Sequence, residues 1–193
     1  GYQMVLIGRD KIDLENVSEV IKEKSGITPF AFQLDITDSE SVRQTIRKIK
    51  NELGRIDVLV NNAGVYYNGT LTLAEEEFNL MLETNLSAQF VLLQEIVPLM
   101  KKQKSGTIFN VASRAGKIGF AGSGAYSASK FGLVGLNESM YKELVPLGIR
   151  VTALCPGWVN TQMATQAGTT LESKQMIQPE DLFKTIHWLL SLS

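Results

Sequence analysis

The chain has 193 residues, enough to bury one substantial core, and no linker or repeat divides it, so we expect a single domain over residues 1–193. Nineteen basic and 20 acidic side chains give a formal net charge of −1, which disfavours nucleic acid and membrane surfaces as partners. One cysteine and one histidine leave no ligand set for a metal and no internal disulfide, and no apolar run is long enough for a membrane span. We therefore predict a cytoplasmic protein without a metal.

Short apolar runs alternate along the chain with longer segments of helical period. The predicted strands cover residues 4–8, 30–34, 58–61, 107–112 and 150–154. The predicted helices cover residues 39–53, 74–103 and 124–145, and a last helix opens at Pro179. This alternation predicts an α/β fold with a doubly wound parallel sheet between two layers of helices. Ligands of such sheets lie beyond the carboxyl ends of the strands.

The segment after the fourth predicted strand contains the side chains best suited to chemistry. Tyr126 and Lys130 are four residues apart, so they share one face of a helix. A free tyrosine has a pKa of about 10, and a neighbouring ammonium lowers that pKa because it favours the phenolate. Ser113, at the end of its strand, is expected to project a hydroxyl into the same crevice. A tyrosine and a lysine at this spacing are also common as a solvated pair, so the pair alone identifies no site.

Further motifs stand in a fixed order around this pair. They are Asn61-Asn62-Ala63-Gly64 after a strand, Asn85, Ser113, Tyr126 with Lys130, and Pro156-Gly157 followed by Thr161. The spacings are 28 residues from Asn85 to Ser113, 13 from there to Tyr126, and four to Lys130. This set resembles the motifs of the short-chain dehydrogenase/reductase family over essentially the whole chain. The resemblance implies a Rossmann-like fold and an oxidoreductase that interconverts a ketone and a secondary alcohol.

The resemblance also implies a role for each catalytic residue. Tyr126 is expected to be the general acid or base, and Lys130 to lower its pKa and to bind the nicotinamide ribose. Ser113 is expected to orient the carbonyl, and Asn85 to hold a water that links Lys130 to a proton relay. The substrate is expected to be a small carbonyl or alcohol, for which 3-oxoacyl thioesters are the commonest precedent in the family. Homodimers and homotetramers are common in the family, so the resemblance also implies a homo-oligomer.

The cofactor residues follow from the same resemblance. They are expected to be Arg9, Asp35, Ile36, Asn62, Ala63, Gly64, Tyr126, Lys130, Pro156, Gly157, Val159 and Thr161. Asp35 corresponds to the residue that binds the adenine amino group, although a role at the start of a helix is an alternative. Arg9 stands where an enzyme specific for NAD carries an acid, and its charge suits a 2′-phosphate. We therefore expect NADP(H), with NAD(H) as the alternative.

Two other functions share parts of this pattern. A dinucleotide-binding regulator without turnover would keep the fold, but it would not need Asn85, Ser113, Tyr126 and Lys130 together. An epimerase or dehydratase shares the Tyr-x-x-x-Lys motif, but the short chain and the Asn-Asn-Ala-Gly motif disfavour it.

The sequence lacks two expected parts of a dinucleotide-binding sheet. One is the Gly-rich turn that opens such a sheet, and the other is a closing strand. We therefore expect the domain to be truncated at both ends.

Overall fold

The computed structural model describes residues 2–192, which form two compact units that meet in sequence at Gly54 and Arg55. Each unit is described by itself. Gly1 and Ser193, at which the chain was expected to look cut, lie outside the described residues. The expectation of a single domain stays a prediction.

The first unit is a strand-helix-strand-helix segment. Strands β1 (Val5–Gly8) and β2 (Phe30–Gln33) pair in parallel, with Val5 opposite Phe30. Helix α1 (Lys11–Ser25) connects them, and helix α2 (Ser39–Leu53) follows. Both helices begin at an aspartate whose carboxylate accepts a hydrogen bond from a backbone N–H, and both end at a glycine with a positive φ near 70°. The predicted helix 39–53 is confirmed, and its apolar stripe is buried, whereas α1 was not predicted.

The second unit contains a three-stranded parallel sheet. Its strands β3 (Val58–Asn61), β4 (Gly106–Val111) and β5 (Ile149–Leu154) lie in sequence order, with β4 in the centre. All five predicted strands are therefore present, with ends that differ by one residue at most. The parallel pairing agrees with the near-continuous apolar sequences of these strands.

Helices flank this sheet along most of the second unit. Helix α3 (Glu75–Leu82) continues through a π-helical turn (Glu83–Ser87) into α4 (Ala88–Gln103), and α5 covers Gly124–Leu144. Two more helices, α6 (Gln162–Gln166) and α7 (Pro179–Ser191), follow β5, and α7 starts at the expected proline. The largest side chains that are fully buried here include Phe109, Met81, Met100, Ile108, Leu133 and Ile149.

Candidate active site

The site begins where β4 ends and α5 starts. Ser113 lies two residues beyond β4, and its hydroxyl accepts a hydrogen bond from the N–H of Ala115 at 3.1 Å. Tyr126 is the third residue of α5, and Lys130 follows one helical turn later. The Nζ of Lys130 lies 5.7 Å from the centre of the Tyr126 ring. The structure thus brings Ser113, Tyr126 and Lys130 together, as the sequence predicted.

The phenol of Tyr126 is held largely out of water. Burial raises the pKa of Tyr126, the nearby Ser113 hydroxyl lowers it, and Tyr66 raises it further, so that the result is an increase. We expected Lys130 to lower this pKa, and for the protein alone that expectation is wrong. The reason is that desolvation of the phenolate dominates, while the ammonium is engaged elsewhere. A protonated Tyr126 is ready to act as an acid at neutral pH.

Lys130 is buried, with 3% of its surface exposed. Its Nζ donates a hydrogen bond to the carbonyl of Val111, at the end of β4, at 2.9 Å. Burial lowers the pKa of Lys130 to about 8, and Cys155 has a smaller opposing effect. The side chain is therefore fixed against the sheet rather than extended into solvent, and its charge is sensitive to pH near neutrality.

Asn85 lies in the π-helical turn and is fully buried. Its Oδ1 accepts from the N–H of Val65 at 2.8 Å, and its Nδ2 donates to the carbonyl of Val65 at 3.0 Å and to Ser129 Oγ at 3.1 Å. The hydroxyl of Ser129 in turn donates to the carbonyl of Tyr126 at 2.7 Å. Asn85 thus links the loop after β3 to the first turns of α5. Both N–H groups of its side-chain amide therefore bind protein atoms, and the water expected at Asn85 stays a prediction.

The Asn-Asn-Ala-Gly segment lies next to these residues. Asn61 is buried at the end of β3 and donates to Asn110 of β4 at 2.9 Å, while Asn62 and Ala63 are exposed. The carbonyl of Ala63 accepts from Gln89 Nε2 at 2.8 Å. A Cβ on Gly64 would lie 3.1 Å from Asn85 Oδ1 and 3.7 Å from Lys130 Nζ. A larger residue at Gly64 would therefore crowd the polar groups of the site.

The segment after β5 turns part of its backbone away from the neighbouring chain. The bridge of Val159 with Ile177 is made by Ile177 N–H to the Trp158 carbonyl and by Asn160 N–H to the Ile177 carbonyl. The N–H and the carbonyl of Val159 therefore point away from Ile177, and the carbonyl accepts a hydrogen bond from the Thr161 hydroxyl at 3.3 Å. The carbonyl of Pro156 accepts from the N–H of Arg114, the residue after Ser113, at 2.8 Å.

Two neighbouring positions remain open. A Cβ on Gly157 would meet no atom within 4 Å, and Thr161 is exposed at the start of α6. The strand end after β5 thus provides an accessible backbone edge.

Three expected cofactor residues belong to the first unit. Arg9 directly follows β1 and is exposed, and its carbonyl accepts from Gln33 Nε2 at 3.1 Å. Asp35 lies just beyond β2, and its Oδ1 accepts from the N–H and the hydroxyl of Thr37. Ile36 is buried. The alternative role of Asp35 at a helix start is wrong, because Asp38 caps α2.

Sequence reasoning missed three contributors to the site. The ring of Tyr66 lies 5.2 Å from that of Tyr126, centre to centre, at an angle of 71°. Ser129 and Gln89 make the hydrogen bonds described above. Tyr66 comes two residues after the Asn-Asn-Ala-Gly segment, and this adjacency was the signal that could have found it.

Several expectations of absence concern the described residues only. Among residues 2–192, no group of three or more His, Cys, Asp or Glu side chains could hold a metal ion. In the same stretch no helix combines the length and the apolar character needed to cross a bilayer. On the long helices, Phe90 and Phe131 are nearly half exposed, and the expected homo-oligomer stays a prediction.

Known proteins share this sequence and this fold. A family model described as short chain dehydrogenase matches residues 1–172. The 3-oxoacyl-[acyl-carrier-protein] reductase FabG of Staphylococcus aureus (strain N315) is 36% identical over 180 residues, which cover 92% of this chain and 73% of that protein.

Solved structures agree with this match. A betaketoacyl-[ACP] reductase (FabG) from Bacteroides thetaiotaomicron is 46% identical, with a TM-score of 0.86, over 100% of this chain and 81% of that chain. A protein from Escherichia coli CFT073, described as a short chain dehydrogenase and complexed with NADPH, is 29% identical with a TM-score of 0.91. The match covers 98% of this chain and 80% of that chain. These similarities confirm the Rossmann-like α/β fold. The chain therefore belongs to the short-chain dehydrogenase/reductase family and is an NAD(P)-dependent oxidoreductase.

Proposed function

We propose that this protein interconverts a ketone and a secondary alcohol with NADP(H), with Tyr126 as the general acid and base. The observation that carries this proposal is the placement of a half-buried Tyr126 beside the hydroxyl of Ser113, with the Nζ of Lys130 5.7 Å from the centre of its ring. A carbonyl oxygen beside Tyr126 would receive its proton as negative charge develops. The FabG relatives are named as reductases of 3-oxoacyl groups, so a 3-oxoacyl thioester is the first substrate to test.

The residues of the site divide this work between them. Tyr126 gives its proton to the carbonyl oxygen, and the Ser113 hydroxyl donates a hydrogen bond to the same oxygen and limits its motion. Lys130 supplies positive charge near the resulting phenolate. When bound, the nicotinamide cofactor donates or accepts the hydride. Because the pKa of Tyr126 is raised, the proton that reduction requires is present on the phenol at neutral pH.

The residues present also fit a dinucleotide. The backbone N–H and carbonyl of Val159 suit the carboxamide of the nicotinamide, and the open space at Gly157 leaves room for close approach. Thr161 and Pro156 lie beside that edge. Asn62, Ala63 and Gly64 offer backbone to the cofactor, and the Nζ of Lys130 lies close to Gly64 and suits the ribose hydroxyls.

The resemblance to the family also implies roles for three residues of the first unit. We assign Asp35 to the adenine amino group and Ile36 to packing beside the base. The exposed guanidinium of Arg9 suits the 2′-phosphate of NADP(H), and solved relatives hold NADP or NADPH. Use of NAD(H) is the alternative, and no observation favours the regulator without turnover.

Replacement of Tyr126 tests the proposal. The variant Tyr126→Phe keeps the ring and removes the proton, so the rate of NADPH-dependent reduction of a 3-oxoacyl thioester should fall by a factor of at least about 100. The matched control is Tyr141→Phe, which changes an exposed tyrosine of the same helix and should leave the rate unchanged. Equal rates for wild type and Tyr126→Phe would overturn the proposal.

A further inference from the structure

A second tyrosine touches the proposed acid. The rings of Tyr66 and Tyr126 make an edge-to-face contact, with centres 5.2 Å apart and planes at 71°. The hydroxyl of Tyr66 lies 3.1 Å from Ser123 Oγ and donates to Asn68 Oδ1 at 3.3 Å. Ser123 is the residue directly before α5. One side chain therefore contacts both the proposed acid and the entry to the helix that carries it.

Backbone hydrogen bonds join the same two loops. The N–H of Gly69 donates to the carbonyl of Gly122 at 2.7 Å, and the N–H of Gly124 donates to Gly69 at 3.2 Å. Gly124 also packs so closely on Thr70 that a Cβ there would lie 2.6 Å from Thr70 Cγ2. The segment 65–70 and the segment 122–124 thus form one braced structure, defined here as the loop brace. Tyr66 is its link to the reacting group.

We propose that Tyr66 is a positioning residue for the reaction, whose ring fixes the phenol of Tyr126 and shields it from water while its hydroxyl closes the loop brace. The proposal rests on the proposed function, in which Tyr126 is the acid. The contacts of Asn85 support the proposal, because its two hydrogen bonds to the backbone of Val65 fix the residue directly before Tyr66.

Two substitutions separate the ring from the hydroxyl. Tyr66→Phe keeps the edge-to-face contact and removes only the hydrogen bonds to Ser123 and Asn68. Tyr66→Ala removes both and opens one side of the Tyr126 phenol to water. Since burial raises the pKa of Tyr126, hydration in Tyr66→Ala should lower that pKa. Reduction requires the protonated phenol, so the decline in rate that belongs to Tyr126 should move to lower pH in this variant. The earlier decline that follows Lys130, with its pKa of about 8, should remain.

The experiment measures kcat, KM and the pH dependence of kcat for carbonyl reduction by the full protein at saturating NADPH. For Tyr66→Ala we expect kcat to fall about five- to tenfold, as loss of one aromatic contact implies, with the fall in rate at high pH moved to lower pH. Tyr66→Phe should keep kcat within about threefold and retain the wild-type pH profile. Tyr141→Ala, a change at an exposed position of α5, should match wild type in both.

The outcomes separate this inference from the function beneath it. Activity that survives in Tyr126→Phe would refute the acid role, and with it the basis of the inference. Loss in Tyr126→Phe combined with an unchanged kcat and pH profile in Tyr66→Ala would refute the positioning role alone. The positioning role would also be refuted if kcat fell by the same factor in Tyr66→Ala and Tyr66→Phe and the pH profile did not move. That result would indicate only a general disruption of the site. If Tyr66→Ala does not fold, Tyr66→Val leaves part of the space open to water and should shift the pH profile in the same direction by a smaller amount.

Discussion

The tyrosine site and the strand ends of the first unit present their side chains in opposite ways. Near Tyr126, side chains are fixed by hydrogen bonds: Lys130 binds the carbonyl of Val111, and Asn85 binds both Val65 and Ser129. Arg9, at the end of β1, is exposed and is held through its backbone carbonyl. Proton transfer requires atoms held to within a fraction of an ångström, whereas a flexible cation can be ordered by the phosphate that it binds. Substitutions in the two regions should therefore separate catalysis from cofactor choice.

The largest effect is expected at Lys130. Lys130→Met keeps the length of the side chain and removes the charge beside Tyr126, so we expect kcat/KM for reduction to fall by a factor of about 100 or more. The same variant should be more stable below pH 8, by about 1–3 kcal/mol, because burial of the ammonium costs free energy. Steady-state kinetics and denaturant unfolding measure the two effects.

The pH dependence of stability provides a check on this reasoning. The pKa of Lys130 is about 8 in the folded protein, against an ordinary lysine value of 10.5 in the unfolded chain, so between these two values the unfolded chain binds more protons. The free energy of unfolding of the wild type should therefore include a contribution that rises with pH from about 8 to 10.5. Lys130→Met should lack that contribution. An equal pH dependence in both proteins would contradict the burial of a charged lysine.

A smaller loss is expected at Gly116, which packs on the backbone of α5 beside the site. A Cβ at Gly116 would lie 2.6 Å from the carbonyl oxygen of Lys130, so Gly116→Ala must displace α5 and should lower kcat about tenfold, with a loss of about 1–3 kcal/mol in stability. Gly119→Ala is the matched control, because a Cβ there meets no atom within 4 Å. Similar kinetics for the two alanine variants would show that this packing does not position Lys130.

The smallest effect on catalysis is expected in the first unit. Arg9→Asp replaces the cation with an acid that suits a ribose hydroxyl, so the ratio of kcat/KM for NADPH to that for NADH should fall about 10- to 100-fold. The kcat at saturating cofactor should change little, because Arg9 takes no part in proton transfer. Wild type that already prefers NADH would contradict the assignment of Arg9.

Sequence patterns predicted the parts of this molecule that repeat along the chain. The strands and the helix 39–53 follow from apolar periodicity, and the spacing of Ser113, Tyr126 and Lys130 fixed their common location. The π-helical turn at Asn85 had no such signal, because one extra residue per turn leaves the helical pattern on both sides intact. Helix α1 buries none of its residues, so no apolar stripe announced it, although Asp10 and Gly26 mark its ends.

Electrostatics were the least predictable feature. A tyrosine and a lysine at helical spacing suggested a lowered tyrosine pKa, whereas burial raises it in the structure. The sign depends on how much water reaches the phenol, and that follows from contacts between distant segments, such as Tyr66 with Tyr126. No pattern within one helix contains this information.

The proton-transfer role of Tyr126 is tested most directly by the pH dependence of kcat for reduction at saturating NADPH, measured for wild type and Tyr126→Phe. The wild-type rate should fall in two steps, first as Lys130 loses its proton near pH 8 and then about tenfold per pH unit above the pKa of Tyr126, because both groups act in their protonated forms. The residual rate of Tyr126→Phe should keep the first step and lack the second. A second step at the same pH in both proteins would show that another group supplies the proton.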